Sequence, residues 1–251
     1  MTYTTLILFL GATVFDAAFA RANEAYQSGD FPAAISGYEQ LISDGIVEAP
    51  LFHNLGNAYY RAGQLGAAIA NFERAIQVDP DFAPSQYNLE HCVQQTQRQL
   101  GRPAPRAWAQ SLLFWDTHLS PLTAYRLAVV CWLCFWAILA VNVWKPIKGL
   151  RRAVVVTGFL AAAFGLSAYA KLNPPLIAVA LADSVAARYG AGEQESTRFE
   201  LMAGDRVHVE ERRAGWVRVS TAGGERGWVD ETDLAWVGPP YTRPSIGRNE
   251  G

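Results

Sequence analysis

Charge of one sign, clustered histidine and paired cysteine are all missing from this sequence, and each absence removes a class of function. Lys and Arg number 21 against 23 Asp and Glu, so no basic excess marks a nucleic-acid partner. The three cysteines are Cys92, Cys131 and Cys134; the last two sit inside an apolar run, so no disulfide framework is available. The four histidines, His53, His91, His118 and His208, are dispersed without metal-ligand spacing. There is no P-loop, dinucleotide fingerprint or nucleophile elbow. No catalytic residue, metal, cofactor or small-molecule substrate is expected, and the chain does not read as an enzyme.

Also missing is any Lys or Arg ahead of the first apolar run, Leu6 to Phe15. The run leads to Ala18-Phe19-Ala20, an A-x-A site of the kind signal peptidases cut. Residues 1–20 are expected to be a signal peptide or an uncleaved signal anchor, and either puts the next domain outside the cytoplasm. Leu127 to Trp144 carries no charge, and with Leu122 to Arg126 added it is long enough to cross a bilayer. Ala153 to Ala170 is a second such run. Spans are therefore expected over 122–144 and 153–171, joined by a loop over 145–152 that holds Lys145, Lys148, Arg151 and Arg152. Four cations in so short a loop place it in the cytoplasm, which agrees with export of both flanks. The second span is rich in small residues, Gly158, Ala161 to Ala163, Gly165, Ser167 and Ala168, which let helices approach closely in lipid. Cys131-Trp132-Leu133-Cys134 has redox-motif spacing but lies within a span, away from water.

What is present is a repeat. A shift of 34 residues aligns Ala22 with Gly56, Asn23 with Asn57, Tyr26 with Tyr60, Gly29 with Gly63 and Tyr38 with Phe72. The stretch Asn54-Leu55-Gly56-Asn57-Ala58-Tyr59-Tyr60, with Gly63, Ala68, Phe72, Ala75 and Asp79-Pro80, resembles the tetratricopeptide repeat. Gly56 and Ala68 would keep two crossing helices close, Gly29 and Gly63 would make the turns, and Pro80 would end the second helix. An array over 21–101 is expected: repeats at 21–48 and 49–82, and a capping helix at 83–100 in which Asn88 aligns with Asn54. The resemblance implies a groove for extended peptides or helices lined by Asn23, Tyr26, Gln27, His53, Asn57, Tyr60, Arg61, Tyr87, His91 and Gln95. Equally, Asn23 and Asn57 may be read as ties between backbone segments and the aromatics as packing. The basic carboxylate clamp of some family members is not evident.

Gly101 to Arg106 breaks helix and opens a linker over 102–121, in which Trp108, Leu112, Leu113, Trp115 and Leu119 have the spacing of an interfacial helix. After Pro175 the period changes to two. Strands are expected at Ile177–Leu181, Arg206–Glu210, Trp216–Val219 and Gly227–Val229. Ala203-Gly204-Asp205-Arg206-Val207, Gly215 to Val219 and Gly224 to Val229 resemble the bacterial SH3-like domain, expected over 176–238 as a small all-β barrel; its usual early motif is only echoed, at Ala186 to Gly190. Trp216 and Trp228 either pack this barrel or form a ligand platform with Tyr189 and Phe199, and peptidoglycan is a candidate ligand. Residues 239–251 form a Pro- and Gly-rich tail that reads as disordered.

The fold class is thus a multidomain membrane protein: a helical tetratricopeptide array, a transmembrane hairpin and a small SH3-like barrel. That order of modules resembles the BatE family of the Bacteroides aerotolerance operon. The resemblance implies a bacterial inner-membrane scaffold beside von Willebrand A-domain membrane proteins and a MoxR-type ATPase. Its partners would be other membrane or exported proteins and the lipid bilayer. A peptidoglycan- or peptide-sensing envelope protein is the alternative.

Overall fold

The computed structural model describes residues 3–103, 121–145, 148–172 and 176–238, with side chains at 15–103, 123–145, 149–170 and 176–238. The interfacial helix expected near Trp108 and the tail over 239–251 lie outside the described residues.

Five helices open the chain: α1 (Tyr3–Gln27), α2 (Phe31–Ser43), α3 (Ala49–Arg61), α4 (Leu65–Val78) and α5 (Ala83–Gln95). Helices α3 and α5 are both 13 residues long and keep the 34-residue period, as do the starts of α2 and α4. Gly29 and Gly63 make the turns within each pair at φ of +84° and +77°, a region L-residues avoid. Asp30 caps α2 by accepting the Ala33 N–H at 3.1 Å. Gly56 is small because Phe72 lies on it: a Cβ there would sit 2.7 Å from the Phe72 ring. Tyr38, Leu41, Leu51, Phe52, Leu55 and Ala58 form the core between the first four helices.

Seven strands follow the hairpin: β1 (Ile177–Ala180), β2 (Val185–Arg188), β3 (Thr197–Leu201), β4 (Arg206–Arg213), β5 (Trp216–Ser220), β6 (Arg226–Asp230) and β7 (Leu234–Val237). They form one antiparallel sheet in the order β3-β2-β6-β5-β4-β1-β7. The expected SH3-like strands are present, but the barrel is open: β3 and β7 are edges. Strands β2, β3 and β7 are not legible as strands in the sequence: Val185–Arg188 and Leu234–Val237 are short and do not alternate, and Thr197–Leu201 is mostly polar.

The array and the sheet form one compact unit, described over residues 3–103 and 176–238. Helix α4 is the reason. Gly66, Ile69, Ala70, Glu73 and Arg74 are buried on one stripe, while Ala68, Phe72 and Ala75 are buried toward the other helices. Strands β1 and β7 are buried on both faces. Ile177, Val179, Ala235 and Val237 meet α4, and Ala178, Ala180, Leu234 and Trp236 fill the sheet's own core. Within this seam Arg206 donates to Glu73 Oε1 at 2.9 Å and to the Leu100 carbonyl at 2.8 Å. Arg102 lies 3.2 Å from Glu73 Oε2. Arg74 donates to the Trp236 carbonyl at 2.8 Å. Arg98, beyond α5, reaches the Glu200 carbonyl (3.0 Å), Asp205 (3.4 Å) and Glu225 (3.1 Å). Burial raises the Asp205 carboxyl above the usual carboxylate range, against the pull of a Met202 N–H and Arg98.

The second unit is a helical hairpin, α6 (Pro121–Trp144) and α7 (Lys148–Leu172). Each contains a 22-residue stretch long and apolar enough to cross a membrane. Large apolar side chains stand outward: Trp136 is 51% exposed, and Val143 and Phe159 are 73% exposed. Arg151 and Arg152 lie in the first turns of α7, so the cationic turn is shorter than the expected 145–152 loop. Gly158 meets Phe135: a Cβ there would be 3.2 Å from its ring, so this small residue serves the hairpin itself.

Two substitutions test the seam. A Cβ at Gly66 would strike the Ala180 carbonyl and come within 3.0 Å of Leu181 Cα, both backbone. Gly66→Ala should lower stability by roughly 1–3 kcal/mol, as overpacking does, and limited proteolysis should then release the sheet from the array. Glu73→Ala leaves the buried Arg206 guanidinium without its carboxylate and should cost about 3–5 kcal/mol in chemical denaturation; the half-exposed Arg102 keeps its water.

Candidate partner-binding surfaces

The first helices of the pairs, α1, α3 and α5, carry the groove residues, and the sheet covers α4 instead. The surface they present is organised by an amide ladder. Asn54 donates to Asn23 Oδ1 at 3.0 Å, and one repeat later Asn88 donates to Asn57 Oδ1 at 2.8 Å. The Tyr38 hydroxyl adds a 2.6 Å bond to Asn23 Oδ1; burial pushes that hydroxyl up to about 12. Asn23 and Asn57 thus tie helix to helix through their side-chain amides rather than to backbone. Tyr38, Asn54 and Asn88, which bond them, and Ser85, which bonds His53, were not among the expected site residues, although Asn54 and Asn88 repeat at the same 34-residue spacing.

His53 is held on both ring nitrogens. Nδ1 lies 2.9 Å from the Ser85 hydroxyl, and Nε2 lies 3.0 Å from the Asn57 amide nitrogen. Because Asn57 turns its oxygen to Asn88, its NH2 faces His53, so Nε2 accepts and Nδ1 carries the proton. Burial holds the ring below the usual histidine range, and Phe72 and Phe82 pack against it. It supports the groove floor.

The outward groove residues fall into two clusters. Gln95 donates to the Tyr60 hydroxyl at 2.8 Å and lies 2.9 Å from His91 Nε2, with the Tyr60 and His91 rings edge to face. Tyr26 packs edge-on against Phe31, over which Arg61 stacks at 5.1 Å. Gln27 is exposed at the end of α1, and Tyr87 is 74% exposed on α5. Hydroxyl, imidazole and amide groups beside aromatic faces make a surface able to bond the backbone of an extended or helical segment without requiring a charged terminus.

On the sheet, Trp216 and Trp228 lie half-buried on the outer face, while Val217, Val219 and Val229 fill the core. The packing alternative for these two indoles is thereby corrected: strand alternation turns them away from the core. Trp228 pairs with Arg188 on one side and Arg218 on the other. Arg188 stacks toward Trp216 at 5.9 Å and Arg218 toward Trp228 at 5.8 Å. Glu210 and Glu211 hold Arg218 at 3.1 and 2.9 Å. Tyr189 is exposed beneath Arg198. Phe199 does not join them: it packs on the sheet's core beside Gly227.

Comparison with known families agrees with both modules. Residues 49–82 match the tetratricopeptide repeat, and residues 182–235 match the bacterial SH3 domain. Both are protein-interaction modules. Strand β1, which lies between β4 and β7 and meets α4, precedes the matched SH3 residues. No curated protein matches the chain.

The ladder makes two predictions. Asn88→Ala leaves the Asn57 oxygen without its donor and should cost roughly 1–3 kcal/mol. For His53, the folded state favours the neutral ring, so its contribution is complete above the unfolded value, about 6.5, and is lost as pH falls below it toward the lowered folded value. The denaturation midpoint of the native chain should fall from pH 7 to pH 5, and His53→Gln should flatten that fall.

Proposed function

We propose that this chain is a non-enzymatic scaffold anchored in a bacterial inner membrane, whose array groove receives a segment of another membrane or exported protein. The observation that carries this reading is the seam. One compact unit is built from chain on both sides of the apolar hairpin, and a unit packed through Glu73 and Arg206 needs both flanks on one side of the bilayer. An even number of crossings satisfies that need, and α6 and α7 supply two. The cations Lys145, Lys148, Arg151 and Arg152 at the turn favour a cytoplasmic bend, so the unit faces outward. The SH3 match supports the same side.

The groove stays open because the sheet uses the opposite helices. Its uncharged polar and aromatic lining suits a peptide or helix more than a small anion. The module order supports placement in a BatE-like envelope complex with von Willebrand A-domain proteins and a MoxR-type ATPase, in stress tolerance or assembly. A second reading, binding of peptidoglycan by the sheet, is favoured by the outward indoles of Trp216 and Trp228.

Photo-crosslinking from Tyr87 in intact cells should trap a membrane or exported protein, and Tyr60→Ala should reduce the yield several-fold. Absence of any adduct from Tyr87 and Gln95 would remove the groove reading. Binding of the full chain to purified sacculi, lost in Trp216→Ala with Trp228→Ala, would favour the second reading instead. Single-cysteine reporters, in a background lacking the native cysteines, settle the side. An impermeant thiol reagent should label Ala222→Cys and spare Lys148→Cys.

A further inference from the structure

We infer that the Ala18-Phe19-Ala20 site is not cleaved, and that the mature protein keeps its N-terminal helix as the opening helix of the first repeat and as an apolar anchor. The inference concerns the N-terminus alone and stands whether or not the groove receives a partner.

The first observation is register. Moved back by one 34-residue period, α3 falls on residues 15–27, and α1 ends at Gln27 as this requires. The first repeat therefore begins at Phe15, six residues earlier than the 21–48 read from sequence, and the A-x-A site lies in the second turn of its first helix. The position of Ala18 corresponds to Phe52, which is fully buried in the next repeat.

The second observation is packing. Phe15, Ala18 and Phe19 lie against the core that contains Tyr38 and Leu41. Phe15 stacks on Phe19 at 5.6 Å between ring centroids, and Phe19 meets the buried Tyr38 ring at 5.9 Å. Cleavage after Ala20 would remove both aromatic rings and leave Arg21–Gln27, two turns with no partner at their start. A helix that short does not hold itself together.

The third observation is continuity. α1 runs unbroken from Tyr3 to Gln27, and no Gly or Pro lies between Ala12 and Gln27 to open the backbone. Ahead of Phe15 the helix carries only uncharged residues, and Tyr3 to Val14 would reach roughly 18 Å along its axis. An uncharged helix of this kind suits lipid rather than water.

The test uses the full chain purified from bacterial membranes. N-terminal sequencing and intact mass should find Met1 or Thr2 at the start; a start at Arg21 would overturn the inference. Stability gives an independent readout, because a residue that has been removed cannot affect the mature fold. Phe19→Ala should lower the thermal midpoint by several degrees, while Ala17→Ser, on the exposed side, should leave it in place. A midpoint unchanged by Phe19→Ala would also overturn it.

Discussion

The ion pair between Glu73 and Arg206 fixes the relation of the two soluble modules, and most of the architecture follows from it. Glu73 stands on α4 in the array and Arg206 on β4 in the sheet, both inside the seam. A buried pair gains little over an apolar contact of the same size, because both charges lose water. Its effect is specificity: any other docking would leave a carboxylate and a guanidinium buried apart. Apolar contacts from Ile177, Val179, Ala235 and Val237 supply the burial, and the pair selects the orientation. Arg206 also takes the Leu100 carbonyl, and its strand neighbour across β1 is Val179. The chain leaving for α6 is thus held by the Arg206 side chain, and the chain returning from α7 by its strand.

Using α4 for the seam has a consequence for binding. The first helix of each pair keeps its outer surface, and the amide ladder stiffens that surface from repeat to repeat. The ladder repeats at each step because Asn23 and Asn57 occupy the same place in successive units. At the third step the place is taken by His91, which bonds Gln95 and lies by Tyr60. A short array thereby obtains a rigid floor, with the half-buried Tyr60 and the exposed Tyr87, His91 and Gln95 above it. Two repeats are few for a free-standing array, and the sheet supplies the apolar cover that α4 lacks.

The repeat was legible because its period is strict and its glycines have no substitute at positive φ. The spans were legible because charge is absent over their whole length. The strands rich in Val, Trp and Arg showed through alternation, whereas Val185–Arg188 is short without alternation and Thr197–Leu201 is mostly polar. The seam was the main omission. Its signals are present in hindsight: the run Gly66 to Ala70 makes α4 apolar all round, as in a helix enclosed by its neighbours, and Ile177 to Leu181 is apolar without alternation, as in a strand covered on both faces. Neither feature says what lies opposite, and the pairing of Glu73 with Arg206 spans too much sequence to be read locally. The expected groove residues lie on α1, α3 and α5, and only geometry separates those tied to neighbouring helices, Asn23, His53 and Asn57, from those turned outward. The same holds for Phe199, whose aromatic ring suits a platform and whose strand parity turns it inward.

A rigid array and sheet is the claim on which the same-side argument rests. Spin labels at Gln40 on α2 and Arg213 at the end of β4, in the full chain reconstituted in lipid bilayers, measure it directly through their pulsed dipolar distance distribution. One narrow distance is expected. A broad or multimodal distribution would mean that the two modules move independently, and would contradict the account.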